Sequence, residues 1–117
     1  VYKRQPFYDG SGDVSVTTFG GSSGGITLNV NRWLGQIGLE SMSDSDIDAI
    51  SLKKSGFLGE FYYFKLLNDK DQTAAILASI FQLKERTVFV KLSSSATGVN
   101  EIENDFLKFC NSLRQTS

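Results

Sequence analysis

Asn29, Arg32 and Gln36 stand at offsets 0, 3 and 7, a spacing that lines side chains along one face of a helix. A guanidinium fork between two amides can hold a carboxylate or phosphate through charge-assisted hydrogen bonds. Trp33, beside the stripe, adds an indole N–H, so the four groups together could rim a groove. The same groups can instead satisfy backbone carbonyls at a sheet edge or in a loop, because buried polar atoms need partners. Directly upstream, Gly20-Gly21-Ser22-Ser23-Gly24-Gly25 must be a loop. Gly24 and Gly25 enter the helix where free N–H groups can receive an anion. The loop lacks the lysine of G-x-x-x-x-G-K-[ST] and does not satisfy G-x-G-x-x-G. A permissive strand-to-helix turn explains its glycines without a ligand.

Other chemistry is sparse. The chain contains no histidine, which removes the commonest general base near neutral pH and the commonest metal ligand. Its single cysteine, Cys110, lies on the apolar side of a helix with no histidine to activate it, and reads as a buried, inert thiol. The acids Glu40, Asp44, Asp46 and Asp48 lack the order of a calcium loop and read as a solvated helix start. Asp13 or Glu60 could act as an acid or base, but no spacing pairs them. Phe61, Tyr62, Tyr63 and Phe64 could offer a stacking platform, although a strand sends alternate members to opposite faces and at least half to a core. The residue types therefore imply no catalytic group, metal or cofactor, and a noncatalytic binding domain is the leading expectation. A small anion carrier using the Gly-rich loop and Arg32 is the alternative, and a histidine-independent enzyme is a third reading.

The elements that position these residues follow from periodicity. Val14, Val16 and Thr18 alternate with Asp13, Ser15 and Thr17, the period of a half-buried strand. Ile26, Val30, Trp33 and Ile37 fall on one helical stripe, closed by Gly38. Ser43 to Asp46 offer caps and acids for a second short helix before Ile47 and Ile50. Phe57 to Leu67 reads as an aromatic strand with a bulge at Gly59. Thr73 to Leu83 fits helix or strand; flanking polar turns and the strand Thr87 to Leu92 favour a meander. Residues 99 to 114 read as a helix with Ile102, Phe106, Phe109 or Cys110, and Leu113 inward, acids at its start and Arg114 at its end. The expected fold is α+β, a curled antiparallel sheet of about four strands, with the stripes of Trp33 and Phe106 closing over one of its faces.

With 117 residues, the chain has room for one domain. Twelve Lys and Arg against 13 Asp and Glu provide no broad field for nucleic acid or an anionic membrane, and no apolar run is long enough to span a bilayer. The partner is thus a protein or small molecule. Val1 to Gln5 read as the translation of a sequencing adapter, which leaves residues 6 to 117 as a single domain shortened at its N-terminus.

The string Gly20 to Leu39, with its Asn-x-x-Arg-Trp-x-x-Gln helix after a Gly-rich turn, resembles a motif of small exported bacterial proteins and lipoproteins of uncharacterised function. The strand, loop and helix from Thr87 to Arg114 are similar to the ending of those proteins, and Asn29, Arg32, Trp33, Gln36 and Lys91 are the matching positions. The order of elements also looks like PsbP-like α/β/α sandwiches, which are exported or lumenal and noncatalytic. The resemblance implies a periplasmic, outer-membrane-associated or extracellular location, with a possible lipid anchor upstream; a cytoplasmic location is the alternative.

Overall fold

The computed structural model describes residues 5–7, 12–20, 25–84 and 86–113. It is an α+β fold built on one antiparallel sheet. The strands are β1 (Gln5–Phe7), β2 (Gly12–Gly20), β3 (Leu52–Ser55), β4 (Glu60–Leu67), β5 (Ala75–Gln82) and β6 (Arg86–Ser94). The helices are α1 (Gly25–Gln36), α2 (Asp44–Ile50) and α3 (Ala96–Ser112). Strand order is β1-β2-β6-β5-β4-β3, so six described strands replace the expected four. The additional ones, β1 and β3, are pieces of only three and four residues at the two edges, where alternation is too brief to be read.

β5 settles the ambiguity of Thr73 to Leu83. Seven of its eight residues are buried, because it is central: it pairs with β4 and β6, placing Ile76 opposite Leu66 and Ser93. A strand covered on both faces reads as a continuous apolar run, which is why periodicity alone was ambiguous.

The two main helices do not share a face of the sheet. Phe61, Tyr63, Leu77, Phe81, Val88, Val90 and Leu92 form one core with Val99, Ile102, Phe106 and Cys110 of α3. Phe64, Leu66, Ile76, Ala78, Ile80 and Phe89 form a second with Val30, Trp33, Leu34 and Ile37 of α1 and Ile47 of α2. The expectation of a single covered face is corrected by the strands themselves: β4, β5 and β6 are apolar at both odd and even positions, so water must be excluded from both sides. All four aromatic residues from Phe61 to Tyr63 and Phe64 are at least partly buried for that reason. On β2, Val16 is buried while Thr18, expected beside it, is exposed, since α3 packs chiefly on β5 and β6.

Local chemistry fixes the ends of the elements. Beyond α1, Gly38 has φ +82°, the Leu39 N–H donates to the Leu34 carbonyl at 2.9 Å and the Gly38 N–H to the Gly35 carbonyl at 3.2 Å, a Schellman closure. Ser43 caps α2 by accepting the Asp46 N–H; Ile47 is buried, but Ile50 is exposed. α3 starts three residues before the expected 99, because Ser95 caps it by accepting the Gly98 N–H at 2.9 Å. Its first turn therefore holds no acid, contrary to the expected placement, and Arg114 lies outside the described residues. Gly59 is not a bulge: with φ +142° it closes the β3–β4 hairpin, where Gly56 and Gly59 exchange backbone hydrogen bonds at 3.0 and 3.2 Å.

Candidate functional site

α1 runs across one face of the sheet toward the end where β6 finishes, and its polar stripe borders β6. Asn29 is buried; its Nδ2 donates to the Gly25 carbonyl at 2.7 Å and its Oδ1 accepts from Arg32 Nη2 at 2.8 Å. Gly25 has φ +81° and open space where a Cβ would stand, while Gly24 lies outside the described residues. Arg32 and Gln36 are exposed. Thus Asn29 is an internal strut that orients the guanidinium, and Arg32 and Gln36 carry the solvent-facing part of the stripe.

The sheet adds a second cation. Lys91 of β6 donates from Nζ to Gln36 Oε1 and lies near enough to Arg32 for the two charges to repel. Burial, with Arg32 contributing second, lowers the Lys91 pKa from its ordinary value. Among the described residues neither cation meets a carboxylate; the ion pairs found are Lys53 with Glu60 and Lys65 with Glu103. Because an ammonium can only donate, Gln36 must present Oε1 to Lys91, and its Nε2 donors are turned away. Arg32, Lys91 and the Gln36 amide therefore form a donor-rich corner with no carboxylate of the described residues in it. By contrast, α2 rims its own hollow, between Ile26, Ile47, Tyr62 and Phe64, with Asp44 and Asp48, which would repel an anion there.

A cleft of about 340 Å³ adjoins the corner, lined by Gln36, Ile37, Thr73, Ala74, Ala75, Ile76, Ser93 and Ser94. Sequence reasoning placed Asn29, Arg32 and Gln36 on one stripe but did not include Ser93 or Thr73, and it assigned Lys91 no role. A signal for Lys91 exists: Phe89, Lys91 and Ser93 share one face of β6, so a lysine follows a buried aromatic where a third apolar residue would suit the core.

The opposite face holds the other polar group of note. Glu103 of α3 accepts from the Tyr63 hydroxyl at 2.7 Å and from Lys65 Nζ at 3.0 Å. Burial pushes its carboxyl up, but the bonds from Tyr63 and Lys65 outweigh that and leave it below the ordinary 4.5. Its acceptors are already engaged within the protein, as a tie between α3 and β4. Burial pushes the Cys110 thiol up to about 12, against a smaller opposing effect of its contact with Ser79. Glu60 sits on the surface against Lys53, and the Asp13 side chain is outside the described set.

Compared with known families, curated proteins and solved structures, the chain shows no match to any of the three. No helix among the described residues is long and apolar enough to cross a membrane.

Proposed function

We propose that this chain is a noncatalytic binding domain of the bacterial cell envelope that holds an anionic group of its ligand between Arg32 and Lys91. One observation carries the reading: Lys91 of β6 is hydrogen-bonded to Gln36, one turn of α1 beyond Arg32, so two cations from separate elements stand together with no carboxylate between them among the described residues. Such an arrangement costs folding free energy, and an arriving anion would relieve it. Asn29 supports the reading by fixing the guanidinium from its buried side, as a preorganised site requires. Absence of histidine from the sequence and the prior engagement of Glu103 and Glu60 favour binding over catalysis. Placement at the envelope rests on the resemblance of the Gly20-to-Leu39 and Thr87-to-Arg114 segments, and a PsbP-like relationship on the order of elements.

Thermal melting in rising acetate or phosphate tests this, since a ligand that binds the folded state raises the melting temperature by mass action. The unaltered chain should show a saturable rise at constant ionic strength. An Arg32→Met/Lys91→Met double variant should melt no lower in anion-free buffer and lose the rise. A variant that melts much lower yet keeps the same anion response would show the pair to be structural and overturn the proposal.

A further inference from the structure

Beyond the anion corner, the cleft beside Gln36 bears hydroxyls rather than further cations. Ser93 is exposed on β6, two residues past Lys91 and on the same face, ~7 Å along the strand. Its hydroxyl makes no hydrogen bond within the described protein. Thr73, across the cleft, donates to Asp71 Oδ1 at 2.5 Å, which leaves its oxygen lone pairs as acceptors. Gln36 Nε2 points away from Lys91 and supplies donors at the junction. The floor is short and apolar, Ala74, Ala75 and Ile76.

Charge gives the cleft a direction. Among the described side chains, Arg32 and Lys91 lie beyond Gln36 at one end, and the Asp71 carboxylate stands behind Thr73 at the other. One negative group would be drawn to the first end and a second repelled from the other, while the hydroxyls between them can exchange hydrogen bonds with a neutral polar chain. We infer that the ligand is a small monoanionic hydroxy acid, its carboxylate at Arg32 and Lys91 and its hydroxylated carbons along Gln36, Ser93 and Thr73. The cleft volume, about 340 Å³, is at the lower end of small-molecule sites, matching a sugar-acid-sized compound.

This inference rests on the anion reading proposed above, so the experiment separates the two. Calorimetric titration of the whole chain would compare D-gluconate with acetate, phosphate, neutral sorbitol and the diacid glucarate at fixed ionic strength. Gluconate is expected to bind about tenfold tighter than acetate or more, glucarate more weakly than gluconate, and sorbitol not measurably. Ser93→Val and Thr73→Val, placed on a strand and a turn outside either core, should lower gluconate affinity toward that of acetate while acetate affinity stays unchanged. That unchanged acetate binding also reports that the variants are folded. Equal binding of gluconate and acetate, tighter binding of phosphate, or tighter binding of glucarate would overturn the hydroxy-acid assignment and leave the anion corner standing. Failure of every anion to bind would overturn both.

Discussion

The two faces of the sheet are built from the same strands and end in different states. On the α3 face, the polar groups close on one another: Glu103 takes hydrogen bonds from Tyr63 and Lys65, and Cys110 meets Ser79 inside the core. On the α1 face, the apolar centre around Trp33 is equally buried, but its border toward β6 keeps Arg32 and Lys91 together without a counter-charge among the described residues. Both faces exclude water from their centres; the α1 border holds two like charges from separate elements, whereas the α3 face leaves the buried Arg86 Nε without a partner among the described residues. Stability alone selects for the first arrangement, because two like charges held together, Lys91 among them partly buried, oppose folding. The contrast is the physical reason to look for function on the α1 side.

The largest expected effects test whether both faces are true cores. Phe106 is completely buried under α3, and Phe106→Ala should lower stability by about 3–5 kcal/mol in urea denaturation. Trp33→Ala should cost a similar amount, since the indole is 3% exposed and meets Phe89 edge-on at 6.0 Å. A Trp33 loss below about 1 kcal/mol would break the comparison, making α1 a loosely attached cover. Gly56→Ala comes next. Its Cβ would stand 2.9 Å from the Asn111 Cα, and backbone cannot swing aside as a side chain can. Moving the β3–β4 hairpin off the end of α3 should cost about 1–3 kcal/mol, again read from the denaturation midpoint.

How much of this was legible in the sequence depended on whether a pattern was local. The stripe Val30, Trp33 and Ile37, the closing Gly38 and the strand Thr87 to Leu92 were readable because helix and strand periods repeat within a few residues. The strand expected over Thr73 to Leu83 forms at Ala75–Gln82, because short turns on both sides leave a meander as the simplest path. The assignment of α1 and α3 to one face failed although the data were present: Tyr62 and Phe64 alternate with Phe61 and Tyr63, and both sets are apolar enough to demand cover. β3 was missed because Leu52 to Ser55 carries two lysines and only four residues, a common form for a protected sheet edge. At the candidate site, the helical half was legible from spacing. The strand half was not, because Lys91 lies 55 positions from Gln36 and only the fold sets them side by side.

Smaller effects probe the polar groups. Burial holds the Cys110 thiol near a pKa of about 12, so native protein should react with iodoacetamide far more slowly than urea-unfolded protein, measured by mass spectrometry at pH 8. Glu103→Gln should cost less than about 1 kcal/mol, because the ion pair is partly solvated. The pH dependence has a definite sign: the folded carboxyl titrates below the unfolded one, so its stabilising effect is present above the ordinary 4.5 and is lost as pH falls through the folded value. The variant should therefore lose less stability than the unaltered chain on acidification across that window.

The smallest stability change is expected at Lys91, where the loss of binding should be greatest. Lys91→Met keeps an unbranched stem over the sheet and removes one of two repelling charges, at the cost of the hydrogen bond to Gln36. These effects oppose each other, so stability at neutral pH should stay within about 0.5 kcal/mol of the unaltered chain. The alkaline limb distinguishes the variants more sharply. With the folded pKa below the ordinary 10.5, the unfolded chain holds more protons between the two values, and this group makes stability rise with pH there. Tyr63 works in the opposite direction, its hydroxyl pushed up by burial and by Glu103, but it is present in both proteins. The difference between wild-type and Lys91→Met stability, measured by urea denaturation from pH 8 to pH 10.5, should therefore shift steadily in favour of the wild type. A flat difference would mean that Lys91 is solvated in the folded state, and the contrast between a closed and an open face would then rest on Arg32 alone.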